Sequence, residues 1–271
     1  MKSFNTRDFS ISTVPNSNFY VNDFINKKNK ELLRNAINLH ENNDFISAEK
    51  MYKKCIYNKF YDSRVFINYA VICKESKRIK QAIDLYKECI ELFPESADAY
   101  SNLSSVLKEE KRLKEALYYA KKAIDIDQKN DYAFYNLGAI YVDLNQYKKA
   151  FYFISKSIEI QPNFAQSHYV LGILFYSNNQ LEDAKLSLSK AIEINPRFTK
   201  SYLILGYIYR DLGCLINAKN VLTVALNYNP NFGEVYLALG IVYLELSRIQ
   251  DSESMLINAL KIIPNKIEIY I

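Results

Sequence analysis

The feature that most constrains how this chain can fold is a period of 34 residues. Gly138, Gly172, Gly206 and Gly240 recur at that spacing, as do Pro162, Pro196, Pro230 and Pro264, with Pro94 two periods earlier. Four of the six glycines and five of the six prolines therefore sit on one lattice. Counted from Asn29, position 20 is small throughout: Ala48, Ala82, Ala116, Ala150, Ala184, Ala218 and Ser252. A fixed period of this length means stacked supersecondary units, each burying its apolar face on its neighbours.

The register runs without insertion or deletion through 29–62, 63–96, 97–130, 131–164, 165–198, 199–232 and 233–266. Each repeat reads as two helices, here called A and B. In 165–198, His168, Leu171, Gly172 and Phe175 fall at i, i+3, i+4 and i+7, which is one helical face. After a polar turn at 177–180, Leu181, Ala184, Leu188 and Ala191 form a second stripe, and Pro196 stops it. Glycine at position 8 and alanine at position 20 are expected where the two helices cross. A larger residue there would push the axes apart, which explains a glycine that costs about 1 kcal/mol in helix propensity. Repeats 29–62 and 97–130 carry Phe60 and Gln128 in place of the terminal proline, so less sharply defined helix ends are expected there.

Residues 1–21 are polar, rich in Asn and Ser, and off the lattice; they read as a flexible leader before a solenoid spanning 22–271. Asn22 or Asp23 is the expected cap of a first helix that runs towards His40. Residues 267–271 would begin an eighth helix A with nothing to cover it. Solenoids normally close with a polar terminal helix, so self-association through that uncapped end is one expected contact.

The pattern is completed by an aromatic or Leu at position 4, Leu-Gly at 7 and 8, Tyr at 11, a bulky residue at 24 and Ala at 27. In 131–164 the residues are Phe134, Leu137, Gly138, Tyr141, Ala150, Ile154, Ser157 and Pro162. This resembles the tetratricopeptide repeat, and the likeness covers 29–266. The resemblance implies an all-α, right-handed α-solenoid of seven helix-turn-helix repeats, with helix A of each lining a concave groove. It further implies a non-catalytic protein-protein interaction scaffold that binds a peptide segment of a partner.

In that family the groove is lined by positions 2, 5, 6, 9, 12 and 13. Position 6 holds Asn68, Asn102 and Asn136 in successive repeats, a carboxamide ladder able to donate to and accept from an extended backbone. The ladder resembles that of the repeat arm of O-GlcNAc transferase. Groove positions in the first three repeats carry Lys30, Arg34, Arg64, Lys74 and Lys108. Those of the last three carry Tyr169, Ile173, Leu203, Ile204, Tyr207, Leu237 and Ile241. A partner segment with an acidic or polar end and an apolar end is the expected ligand. The family's carboxylate clamp is not present, since Leu33 and Ile37, or Ile67 and Val71, occupy its first two positions. Position 13 is acidic in six repeats; Glu75, Glu109 and Glu245 are expected to pair with Arg78, Arg112 and Arg248 at i+3.

Other function classes find little support. A net charge of +5 from 35 basic and 30 acidic residues is thin for nucleic-acid binding. The four cysteines form no CxxC pair and accompany no His cluster, so no metal or other cofactor is expected and the thiols read as small core residues. His40 and His168 are the only histidines, the latter at a packing position. There is no phosphate loop, HExxH or GxSxG. No apolar run is long enough for a membrane span and no secretory h-region opens the chain, which favours a cytoplasmic protein without membrane contact. The alternative function is the targeting arm of a larger enzyme such as a glycosyltransferase.

Overall fold

A computed structural model of the chain describes residues 17–264. Within them are 14 α-helices and no strand: α1 (Ser17–Glu41), α2 (Phe45–Tyr57), α3 (Ser63–Glu75), α4 (Ile79–Leu92), α5 (Ala97–Glu109), α6 (Leu113–Ile126) and α7 (Asp131–Asp143), followed by α8 (Tyr147–Ile160), α9 (Ala165–Ser177), α10 (Leu181–Ile194), α11 (Thr199–Asp211), α12 (Leu215–Tyr228), α13 (Gly233–Glu245) and α14 (Ile249–Ile262). From α3 onward each helix A starts at position 1 of its repeat. The helix α1 begins at Ser17, so Asn22 and Asp23 lie inside it and not at its cap. The rest of the expected leader and the start of an eighth helix fall outside the described residues.

The chain divides into two compact parts, one ending at Ala99 and one beginning at Tyr100. In the first, α1 packs on α2, α2 on α3 and α3 on α4. In the second, helices A and B pack alternately, and the A helices α7, α9, α11 and α13 also touch in series.

Two kinds of local chemistry end the helices. Between A and B, position 15 adopts positive φ in every repeat: Asn43, Lys77, Lys111, Asn145, Asn179, Gly213 and Ser247. Reversing the chain over so short a turn needs one left-handed residue. After helix B, where position 31 is Asp or Asn, its side chain accepts the N–H two residues on. Asp127 does so for Lys129 at 2.9 Å, Asn195 for Arg197 at 3.0 Å and Asn229 for Asn231 at 3.2 Å. That Asx turn makes the end of α6 as sharp as the proline-terminated ones despite Gln128. Only α2, followed by Phe60, stops one position early, at Tyr57.

The core follows the lattice. Position 20 is fully buried as alanine in six repeats, and Ser252 in the seventh donates its hydroxyl to the Gly240 carbonyl at 2.7 Å. A Cβ on Gly172 would lie 2.6 Å from Leu188 Cγ and 3.4 Å from the Ala184 carbonyl, which locates the A/B crossing. Cys55, Cys73 and Cys89 are buried as expected of small core residues, whereas Cys214 is exposed at the start of α12. His168 is half-buried, not a core residue. Its Nε2–H donates to the Pro162 carbonyl at 2.8 Å, and the Tyr202 hydroxyl donates to Pro196 in the same register.

Candidate functional site

In the first part, Lys30, Arg34 and Arg64 are brought around one depression of about 380 Å³ on α1 and α3, completed by Leu33, Ile37, Asn38 and Glu41. Lys30 and Arg34 are exposed at positions 2 and 6 of the first helix A, while buried Leu33 and half-buried Ile37 supply the apolar floor. Arg64, at position 2 of the next helix A, is fixed by Asp62. The guanidinium donates to both carboxylate oxygens at 2.9 and 2.7 Å, and the Arg64 amide donates to the same carboxyl. That arginine lowers the Asp62 pKa and its own is raised. Glu41 is the one acidic member of the lining and Asp62 already pairs with Arg64, so the cations of the depression with no ion pair among the described residues are Lys30 and Arg34.

The asparagines of position 6 do not share one environment. Asn136 is 1% exposed, and its amide nitrogen donates to the Ser101 carbonyl at 3.0 Å and the Ser101 hydroxyl at 3.1 Å. It ties α7 to α5 and is closed to any ligand, which removes it from the ladder. Asn68 is half-buried and hydrogen-bonded to the hydroxyl of Tyr52, whose pKa burial pushes up to about 12. Asn102 and Lys74 are likewise half-buried and engaged within the fold, and Lys108 is half-buried.

The expected apolar positions of the second part are half-buried: Tyr169 and Ile173 on α9 and Tyr207 on α11. Tyr169 stands edge-on to Phe198 at 5.1 Å, and one repeat earlier Tyr135 meets Phe164 at 5.2 Å, with Tyr132 stacked on Tyr135. Burial pushes the Tyr135 hydroxyl up to about 12 and raises that of Tyr169, so both stay neutral donors through the physiological range. Tyr207 carries Arg210 at 5.8 Å from its ring, and Arg210 pairs with Asp211, which also accepts the Tyr176 hydroxyl at 2.5 Å. The Tyr132/Tyr135/Phe164 cluster was not among the expected contacts. Its signal is the aromatic residue at positions 2, 5 and 34 of the single repeat 131–164.

The acidic position 13 is not paired as expected. Arg78 donates to Glu49 at 2.8 and 2.6 Å, Arg112 to Glu115 at 2.7 Å and Arg248 to Asp251 at 2.7 Å. Two position 13 carboxylates meet the preceding repeat, Asp143 through Lys111 at 3.8 Å and Asp211 through the Tyr176 hydroxyl, Asp211 also pairing with Arg210 of its own repeat. No group of His, Cys, Asp and Glu among the described residues is placed to hold a metal ion, and no described helix is long and apolar enough to cross a membrane.

The fold is thus an α-solenoid of helix-turn-helix pairs. Family models described as Tetratricopeptide repeat match residues 75–131, 119–152, 165–198 and 199–232, and the chain belongs to the tetratricopeptide repeat family. None of the curated proteins matches it. Among solved structures, the APC/C hetero-tetramer Cut9-Hcn1 aligns with a TM-score of 0.79 at 17% identity, over 86% of this chain and 46% of that one. A tetratricopeptide repeat protein from Parabacteroides merdae ATCC 43184 gives 0.66 at 17% identity, over 90% and 96%. YrrB, described as a TPR protein with an unusual peptide-binding site, gives 0.50 at 24% identity, over 66% and 93%. At such identities the likeness is one of fold.

Proposed function

We propose that the chain is a non-catalytic protein-interaction scaffold that holds a peptide segment of a partner against its A helices. The observation that carries this reading is the convergence of Lys30, Arg34 and Arg64 on one apolar-floored depression. Lys30 and Arg34 over Leu33 and Ile37, beside an Arg64 that Asp62 holds in place, suit a segment that presents a carboxylate beside an aliphatic side chain. On the second part, Tyr169, Ile173 and Tyr207 suit apolar side chains, with Tyr135 and Tyr169 as hydroxyl donors. Of the asparagines, Asn68 and Asn102 remain as backbone contacts. The peptide-binding site named for YrrB fits the same kind of role.

Affinity capture with the wild type and a Lys30→Glu/Arg34→Glu variant of unchanged melting temperature tests the proposal. The expected result is a protein retained by the wild type, released by raised salt and absent from the variant. Equal retention by both would move the site away from α1, and a wild type that captures nothing would sink the scaffold reading itself.

A second contact is supported by α14. Ile249, Ile257 and Leu260 are 64%, 47% and 43% exposed. Position 25, which holds Ile257, is Lys53, Lys87, Lys121, Ser155, Ser189 and Thr223 in the other repeats. This face favours self-association. Molar mass in light scattering should then rise with concentration, and Ile257→Lys should abolish the rise.

A further inference from the structure

Away from the A-helix faces, a cleft of about 380 Å³ opens on the edge where the A/B turns lie, between the start of α8 and the end of α9. Its walls are Tyr147, Phe151, Leu174 and Phe175, with Lys148 on one rim and Asn178 and Gln180 on the other. Tyr147 and Phe151 are 48% and 42% exposed, and Phe151 meets Phe175 edge-to-face at 5.6 Å.

The neighbouring repeats show how unusual this lining is. Position 17 is leucine in the other repeats of the second part (Leu113, Leu181, Leu215), apart from Ile249 in the last. Position 21, which holds Phe151, is Leu117, Lys185, Lys219 or Glu253 elsewhere in that part. One repeat further on, Lys185 lays its ammonium over the ring of Tyr209 at 5.6 Å and roofs the same seat with the chain's own side chain. At Phe175 the lysine is replaced by Phe151, so the seat stays open and becomes aromatic on three sides. Exposed rings at a site where the fold accepts leucine or lysine are not needed for packing.

Charge decides what the seat can hold. Lys148 is exposed on the rim, with no ion pair among the described residues. On the opposite rim, Asn178 donates to Gln180 at 2.6 Å and Gln180 donates to Asp183 at 3.2 Å. That rim is thereby satisfied internally, and the available charge is positive. We propose that the cleft is a second recognition site, taking an aromatic side chain of a partner protein that stands directly beside a carboxylate. The ring would enter between Tyr147, Phe151 and Phe175, and the carboxylate would pair with Lys148. The cleft shares no lining residue with the depression on α1 and α3 and does not depend on it.

The test is an NMR titration of the full chain with N-acetyl-L-phenylalanine, its amide, and tetramethylammonium. The acid should shift the Tyr147, Phe151 and Phe175 signals saturably and bind several-fold more tightly than the amide. Phe151→Lys, which reproduces the lysine found one repeat on at Lys185, should keep its melting temperature and lose the response. Lys148→Glu should erase the preference for acid over amide. No saturable shift, an undiminished response in folded Phe151→Lys, or preferential binding of tetramethylammonium would each overturn the proposal.

Discussion

Gly172 faces Leu188 so closely that a Cβ on the glycine would stand 2.6 Å from Leu188 Cγ. The same relation joins Gly138 to Ile154, Gly206 to Leu222 and Gly240 to Leu256, at 2.7, 2.5 and 2.7 Å. Where position 8 is larger, position 24 is different: Ala36 and Ala70 accompany Tyr52 and Tyr86, and Ser104 accompanies Ala120. Branched aliphatic side chains at 24 therefore require glycine at 8, while a planar ring or an alanine tolerates a Cβ. Gly172→Ala should destabilise by about 1–3 kcal/mol from overpacking, less up to about 1 kcal/mol of regained helix propensity. Adding Leu188→Tyr, which copies the Ala70/Tyr86 pair, should recover part of the loss. Additive losses in urea unfolding would show that the two positions are not coupled.

The A/B turns give a second expectation. Lys111 and Ser247 hold φ of 60° and 58°, a region in which only Gly213, at 71°, carries no steric penalty. Lys111→Gly and Ser247→Gly should each raise stability by a few tenths to about 1 kcal/mol, net of glycine's added freedom in the unfolded chain. Gly213→Ala should lower it by about 1 kcal/mol, although nothing lies within 4 Å of the added Cβ. The measurement is the thermal midpoint of the three variants, and a neutral Gly213→Ala would show that the turn relaxes.

These two cases mark what the sequence made legible. The lattice of Gly, Ala and Pro announced the helix pairs and their crossing, because close approach and helix termination restrict residue type strongly. The left-handed position stayed hidden, since lysine, asparagine and serine occupy it and only Gly213 signals it. That position also explains the misassigned ion pairs. Arg112 has Glu109 three residues before it and Glu115 three after. Lys111 at positive φ breaks the helical geometry on the first side, leaving Glu115 on the same helix as the partner. The asparagine ladder was legible as spacing but not as environment. Residue identity at position 6 does not reveal that Ser101 beneath Asn136 offers two acceptors and draws the amide inward.

Acid sensitivity should centre on Glu49. Arg78 holds its carboxyl down to about 2 from an ordinary 4.5, with Lys53 adding to the effect against desolvation. A carboxyl depressed in the folded state contributes its full stabilisation above its unfolded pKa and loses it as pH falls through the folded value. The contribution is thus complete above about pH 4.5 and fades towards pH 2. Arg78→Gln should move the acid-unfolding midpoint to higher pH and leave a smaller difference from wild type at low pH than at pH 7. An unchanged midpoint would mean that the Arg78–Glu49 pair, joined at 2.6 Å, does not govern acid stability.

The last expectation concerns a hydroxyl with nothing to bind. Ser201 is fully buried at position 3 of its repeat, and its Oγ has no hydrogen-bond partner among the described residues. Ser167, one repeat earlier, sits in the same place but meets the Ser157 hydroxyl at 2.8 Å. The difference lies at position 27 of the preceding repeat, where Ser157 is followed by Ala191. An unpaired buried hydroxyl carries a desolvation penalty of about 1–3 kcal/mol, whereas removing one partner of a bonded pair creates that penalty. Ser201→Ala should therefore be neutral to stabilising, and Ser167→Ala should destabilise by about 1 kcal/mol or more. Adding Ala191→Ser to the wild type should recover stability by giving Ser201 the partner that Ser157 gives Ser167. Paired denaturant melts of the three variants decide the matter: a Ser201→Ala that destabilises as much as Ser167→Ala would show that Ser201 has a partner after all, such as a buried water.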